Sequence, residues 1–345
     1  MLINRILIVG LGSIGKLHLQ LLRDLLPNAD IRVLRHQAGT SVPDVANGIF
    51  SSISEAINFK PQIAVIAGPS TTHVNAAQAL AEVGVHLLIE KPISASLVGV
   101  SRLISTCQQY DCVLITGYNL RHLTSIQRFR EVINDGIIGK VLSVRCEAGQ
   151  YLPTWRANSD YRMGVSARRD LGGGVLLELS HEIDYLRWIF GEVDWVKSTL
   201  SRQGGLEIDV EDTAHLTIGF VRSDSKYQLI ATLNLDFIRQ DKIRQCIAIG
   251  DKGSLRWNGL TGQVDLYECG AKDWRELFKF SHDREYSYRV ELREFIDCVI
   301  QNKKPLITGQ DGLRVLQIIE AAKMSAELGL KVSVENEAIL GLMNQ

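Results

Sequence analysis

The chain lacks long hydrophobic runs. Nowhere in its 345 residues does an apolar stretch reach the ~18 that would suggest a membrane span, so no membrane partner is expected. It also lacks charge of one sign. With 38 basic and 39 acidic residues the formal net charge is −1, which offers no global field to nucleic acid or to an acidic membrane surface. Cys107, Cys112, Cys146, Cys246, Cys269 and Cys298 contain no CxxC pair, so neither a metal site nor a disulfide framework is expected. The opening MLINRILIVG passes straight into a strand without the layout of a signal peptide. Repeats, low-complexity tracts and linkers are missing as well. These absences point to a reduced, cytoplasmic, enzyme-sized protein.

What is there is an ordinary globular balance, 46% hydrophobic and 22% charged. The length exceeds what one core usually organises, so two domains are expected. Asn4 to Gly10 read as a short buried strand, followed by GLGSIG. Gly10, Gly12 and Gly15 then fill a GxGxxG pattern, with Ser13 and Ile14 inside it, and Ile14, Leu17, Leu21 and Leu25 form a helical stripe up to Pro27. In such a turn the first glycine makes the bend, the second lets backbone approach a pyrophosphate, and the third lets helix pack on strand. The helix N-terminus supplies free N–H groups and a positive dipole end to the phosphates.

The alternation continues. Strands are expected at 31–35, 62–67, 85–89 and 112–116, and helices at 52–59, 72–84 and 94–111, with Ser52 and Glu55 as a capping box. This predicts an α/β fold that begins with a doubly wound parallel sheet over residues 1–121. Ligands of such sheets bind beyond the carboxyl ends of the strands. Those ends carry Gly68, Pro69, Ser70 and His73 in AGPSTTH, Glu90 and Lys91 in EKP, and Asn119 and Arg121 in GYNLR. The end of the second strand has Arg35 and His36, with no acid until Asp44. Cationic groups suit a 2′-phosphate where an acid would hold a 2′-hydroxyl, so NADP(H) is favoured over NAD(H), the alternative being an Arg35 that stacks on adenine without preference. Lys91, between a buried strand and Pro92, has a restricted backbone and would place an ammonium beside the cofactor.

Residues 122–345 read differently. A helix is expected at 124–135, a long strand at 141–149, then β-rich runs at 193–202, 213–221, 227–237, 243–250 and 254–257, with helices at 288–301 and 310–329. Alternation within AHLTIGF and QLIATLNLDF indicates an antiparallel sheet with one buried face. Between them, GGGVLLELSHEIDYLRWIFG at 172–191 reads as one buried helix: Leu176, Leu179, Ile183, Leu186 and Phe190 mark an apolar face, while Glu178, His181, Tyr185 and Trp188 run along another. Buried polar groups, with Asp184 among them, are either satisfied internally or used. The preceding segment, 150–174, carries Trp155, Arg156, Tyr161, Arg162, Arg168 and Arg169. It is either a substrate-gripping loop, suited to phosphate, nucleotide diphosphate or carboxylate, or a solvated loop whose arginines pair with nearby acids.

Taken together, GLGSIGKLH at 10–18, AGPSTTH, EKP, GYNLR, GGGVLLELSHEID and the closing PLITGQDGLRVLQIIEAAKMSAELGLKV resemble the Gfo/Idh/MocA oxidoreductases over the whole length. The resemblance implies an N-terminal Rossmann domain, a C-terminal α/β domain with a large, mostly antiparallel open sheet, and a homodimer or homotetramer through that sheet. It implies NAD(P)-dependent hydride exchange at a secondary alcohol or ketone carbon of a sugar or polyol. Lys91 matches the family lysine that contacts substrate and nicotinamide ribose, and His181 the histidine proposed as acid/base. The family usually has Asp four residues before that histidine. Here the acid is Glu178, three residues before, and Asp184 matches the acid three residues after. His181 would take the hydroxyl proton, since imidazole ordinarily titrates near neutrality, and Lys91 would hold the oxygen. Two rivals are a glycosidase of the same fold using bound NAD transiently and a dinucleotide-binding sensor that does no chemistry.

Overall fold

The computed structural model describes residues 2–35, 42–155, 159–221, 227–281 and 283–343. In chain order the first elements are β1 (Arg5–Val9), α1 (Ser13–Leu25), β2 (Asp30–Leu34), β3 (Gly48–Phe50), α2 (Ile53–Asn58), β4 (Ile63–Ile66), α3 (His73–Ala81), β5 (His86–Glu90), α4 (Val100–Gln109) and β6 (Leu114–Gly117). The strands form one six-stranded sheet in the order β3-β2-β1-β4-β5-β6. Every pairing in it is parallel. Continuous apolar strands such as IAVI of β4, buried at all four positions, are what a parallel sheet covered on both faces requires.

Three expectations need correction here. The sheet has six strands rather than five, because the three-residue β3 is too short to signal itself by periodicity. Helix α4 begins at Val100 rather than near Ser94, since Gly99 takes φ +76, which no helix continues through. The buried face of α1 carries Gly15, His18, Leu19, Leu21 and Leu22, so it overlaps the Ile14–Leu17–Leu21–Leu25 stripe read from the sequence at Leu21 alone. Ile14, Leu17 and Leu25 pack only at its margin. The expected capping box of α2 forms in part: Ser52 Oγ accepts the Glu55 N–H at 3.3 Å, while the Glu55 carboxylate returns one residue further back, to the N–H of Ser51 at 2.9 Å.

The chain continues as α5 (Thr124–Asn134), β7 (Val141–Gly149), α6 (Val175–Glu178), α7 (His181–Phe190), β8 (Val193–Ser201), β9 (Thr213–Phe220), β10 (Ile230–Asp236), β11 (Ile243–Gly250), β12 (Gly253–Asn258), β13 (Gln263–Glu268), β14 (Arg275–Lys279), α8 (Tyr286–Gln301), α9 (Gly309–Leu328), β15 (Val332–Ser333) and α10 (Glu337–Met343). A nine-stranded sheet runs β14-β13-β12-β11-β7-β10-β9-β8-β15. Only the β7–β10 pairing in it is parallel. Its inner face packs beneath α7: Tyr185 meets Trp257 edge-on, ring centroids 5.3 Å apart, and its hydroxyl lies 2.9 Å from Cys146 Sγ.

The chain forms two compact units. One comprises Met1–Tyr118, Tyr288–Leu316 and Gly341–Gln345, and the other Asn119–Ser287 and Gln317–Leu340. The single boundary after Arg121 read from the sequence thus differs from the observed division, in which α8 returns to the first unit. Leu292, Phe295, Ile296 and Val299 of α8 join the cluster built from Ile6, Ile8, Leu19, Leu22 and Val65. Burying four such side chains contributes on the order of 8 kcal/mol before entropy is counted, enough to decide which unit the helix belongs to.

Candidate active site

In the first unit, the turn between β1 and α1 shows three glycines under three different constraints. Gly10 has φ +91, and a Cβ on it would stand 2.7 Å from the Gly68 nitrogen. A Cβ on Gly15 would stand 2.2 Å from the Gly10 oxygen. Around Gly12 a Cβ would meet nothing within 4 Å. Two glycines therefore serve packing, and the third leaves open backbone at the start of a 13-residue helix with no side-chain cap and no acid in its first turn. Ser13 is exposed and Ile14 half-buried at that start. Open N–H groups and an uncapped positive dipole end fit a pyrophosphate.

The neighbouring strand ends are Gly68-Pro69-Ser70 after β4 and Glu90-Lys91 closing β5. The Ser70 hydroxyl is buried and has no hydrogen-bond partner among the described residues. His73 joins the two ends: its ring nitrogens lie 2.9 Å from the Gly68 carbonyl and 3.1 Å from the Pro92 carbonyl. Burial lowers its pKa more than those carbonyls raise it. Glu90 is buried, its Oε1 2.6 Å from His18 Nε2, and its Oε2 accepts the Lys91 backbone N–H at 3.2 Å. Arg35 follows β2 and is half-buried. His36 lies outside the described residues.

In the second unit, the stretch read as one helix is two. Helix α6 ends at Glu178, Leu179 turns out of it with ψ +30, and α7 starts at His181. Unbroken apolar periodicity hid the break, because both pieces bury their leucines. Gly172 and Gly174 take φ +83 and +108, and a Cβ on Gly173 would stand 2.3 Å from the Val165 oxygen. The turn before α6 is thus closed to side chains. Glu211 Oε1 accepts the Leu176 N–H at 3.2 Å, and burial raises the Glu211 pKa.

The polar stripe of α7 finds arginines. Arg121 donates from Nε to Asp184 Oδ2 at 2.8 Å and from Nη2 to Oδ1 at 2.5 Å, both residues being almost fully buried. Arg244 Nε donates to Glu182 Oε1 at 2.7 Å. Ser166 Oγ donates to Glu178 Oε2 at 3.2 Å. His181 is 8% exposed, at the first turn of α7. Asn119 is buried and donates to Ser287 Oγ at 2.9 Å. Asp184, among the groups that had to be either satisfied internally or used, is therefore satisfied by Arg121 from the GYNLR strand end.

Among its described residues, the 150–174 segment forms four single 3-10 turns. Its arginines meet local acids: Arg162 pairs with Asp160 at 2.8 Å and Glu207 at 3.2 Å, Arg168 with Asp170 at 2.6 Å, and Arg169 Nη2 donates to the Asp209 carbonyl at 3.0 Å. Trp155 donates to the Gln150 carbonyl at 3.0 Å and meets Phe237 edge-on, and the Tyr161 hydroxyl accepts the Glu207 N–H at 3.2 Å. Arg156 lies outside the described residues. Sequence reading missed His18, Glu182, Glu211 and Glu291. The signal for His18 was its place three residues after Gly15, on the buried face.

A model of an oxidoreductase family's NAD-binding Rossmann fold matches residues 4–118, and one of the same family's C-terminal alpha/beta domain matches residues 130–334. The chain belongs to this family, the Gfo/Idh/MocA oxidoreductases. Among its relatives, a myo-inositol 2-dehydrogenase of Thermotoga maritima is 29% identical over 98% of this chain and 100% of its own. A 1,5-anhydro-D-fructose reductase of Ensifer adhaerens is 25% identical over 84% of this chain and 86% of its own. A levoglucosan dehydrogenase solved with NADH has the same fold, TM-score 0.82 at 18% identity, over 96% of this chain and 99% of that one. The chain is thus an oxidoreductase with a nicotinamide-dinucleotide-binding domain. Among the described residues, no helix is long and apolar enough to cross a membrane.

Proposed function

We propose that this enzyme moves a hydride between a nicotinamide dinucleotide and a secondary alcohol or ketone carbon of a sugar, sugar derivative or polyol. The observation that carries the reading is the open backbone at Gly12, above an uncapped helix, in the same sheet as the Glu90–Lys91 strand end. Gly10, Gly12, Ser13, Ile14 and Gly15 would hold the pyrophosphate, with Gly68, Pro69, Ser70, His73 and Glu90 shaping the adjoining strand ends. The bound nicotinamide accepts or returns the hydride; the protein supplies orientation and charge. His181 takes or gives the hydroxyl proton as acid/base, and Lys91 holds the substrate oxygen and stabilises its developing negative charge. Asp184 and Arg121 act by holding α7 rather than by touching substrate, and Glu178 supports the turn before His181.

The finer choices belong to the same proposal. Arg35 and the lack of an acid after β2 favour NADP(H) over NAD(H). A neutral sugar or polyol has more support than an acidic or nucleotide-linked one, because Arg162 and Arg168 hold carboxylates of their own unit. A homodimer or homotetramer through the nine-stranded sheet and a cytoplasmic location complete the reading, checked by light scattering and by cell fractionation.

The test is a screen of sugars, polyols and nucleotide sugars with NAD and NADP, following nicotinamide absorbance. Lys91→Ala and His181→Ala should each lose turnover by about a hundredfold or more while still binding dinucleotide. Near-normal rates in either variant would remove that residue from the mechanism. Substrate consumed without net absorbance change would replace the dehydrogenase with transient cofactor chemistry.

A further inference from the structure

His18 of α1, Glu90 of β5 and Glu291 of α8 bring their side-chain nitrogen and oxygen atoms within 4.8 Å of one another in the first unit. They are 0%, 6% and 0% exposed. Glu90 is held at both oxygens, by His18 Nε2 at 2.6 Å and by the backbone N–H of Lys91 at 3.2 Å. The Tyr288 ring stands edge-on to His18, centroids 5.8 Å apart. Both Glu291 oxygens are buried and without a hydrogen-bond partner among the described residues. A buried carboxyl in that position is costly, and a hydrocarbon would fill the space more cheaply.

We propose that His18 and Glu291 are positioning residues for Lys91, acting through Glu90: the imidazole holds the Glu90 carboxylate by its hydrogen bond and the Glu291 carboxyl packs beside it within 4.8 Å, and Glu90 in turn fixes the backbone from which Lys91 projects. This rests on the role of Lys91 given above. Burial, then Glu90, then Glu294 on the same helix push the Glu291 pKa well up. That shift favours the neutral acid at Glu291, which lies beside Glu90 and His18. A second carboxylate there would repel Glu90 away from both partners. The geometry favours this over a metal centre. Two ligands at about 2.1 Å on a tetrahedral ion stand about 3.4 Å apart, whereas His18 and Glu90 touch at 2.6 Å.

The experiment uses the full chain as His18→Leu, His18→Gln, Glu291→Leu and Glu291→Gln, with two readouts. One is the acetylation rate of Lys91 by an N-hydroxysuccinimide ester, measured by peptide mass spectrometry, which needs no turnover. The other is kcat and KM on whichever substrate the screen yields. Both leucine variants should change Lys91 labelling about threefold or more and lower kcat about tenfold, with the dinucleotide KM within about twofold, because misplacing one catalytic group slows chemistry more than binding. Glutamine can donate to Glu90 from position 18 and is a neutral isostere at 291, so both glutamine variants should stay near wild type. As pH is raised, wild-type kcat should fall through Glu291 ionisation and that of Glu291→Gln should not. Leucine variants that label and turn over like wild type overturn the proposal. So does one stoichiometric metal ion whose chelation reproduces their defect. If a leucine variant does not fold, His18→Asn, too short to reach Glu90, replaces it, and labelling equal to that of His18→Gln overturns the proposal. Wild-type protein without turnover would sink the proposed function, while the labelling ratio still decides this inference.

Discussion

At the residue scale the strongest energetic commitment is the Arg121–Asp184 pair, joined by two hydrogen bonds and almost fully buried. Removing one partner from such a pair leaves an uncompensated charge out of water, at about 3–5 kcal/mol, whereas replacing both by apolar groups is close to neutral. Arg121→Met or Asp184→Leu alone should therefore lower the urea midpoint sharply, and the double variant should recover most of the loss. Additive losses would mean that the two residues do not hold each other. Kinetics on the same variants separates two roles: if Asp184 also touches substrate, the double variant regains stability without regaining kcat. Neither partner announced the other in the sequence. They lie 63 residues apart, and a buried acid beside a candidate catalytic histidine reads as chemistry until its partner is known.

At the scale of elements, α1 separates what a glycine does for packing from what it does for a ligand. Gly15→Ala drives a methyl into the Gly10 carbonyl, so it should destabilise by about 1–3 kcal/mol. Gly12 has φ −68 and open space around it, so Gly12→Ala should unfold within about 0.5 kcal/mol of wild type. Its methyl would still stand where the turn's backbone has to approach a pyrophosphate, and dinucleotide affinity should fall about tenfold. Urea midpoints and fluorescence titration with NAD and NADP measure the two effects. Equal affinity in Gly12→Ala would move the dinucleotide away from this turn. These glycines were legible because their spacing sat between a readable strand and a readable helix. The strands β3 and β15, with three and two residues, carry no period to read. Amphipathic periodicity said that α8 buries a face but could not say against which unit. The break at Leu179–Ser180 was hidden for a related reason: apolar spacing runs straight across it.

The pH dependence of stability belongs to the whole chain, because buried groups pull it in opposite directions. Burial and then Arg121 lower the His122 pKa from 6.5 to about 4, and burial also lowers His73 and His86. Below pH 6.5 the unfolded chain therefore binds more protons than the folded one. Stability is complete above that pH and falls as pH drops, and for His122 the loss reaches roughly 3 kcal/mol near pH 4. Glu211, Glu291 and Glu294 have the opposite sign, since burial raises each above the ordinary 4.5. Above pH 4.5 their unfolded forms ionise first, the folded chain holds more protons, and stability falls as pH rises through the folded values. Maximum stability is accordingly expected between about pH 4.5 and 6.5, where the two slopes oppose each other. Single variants isolate each slope. His122→Asn should gain on wild type as pH falls from 7 to 4, and Glu291→Gln should gain as pH rises from 5 to 8, both read as differences in melting temperature. The exposed carboxylates Glu55, Asp160 and Asp170, whose pKa values are lowered, are common to every variant and cancel in the difference. A Glu291→Gln difference that stays constant from pH 5 to 8 would mean that this carboxyl is already ionised in the folded chain, and the neutral acid beside Glu90 would have to be given up.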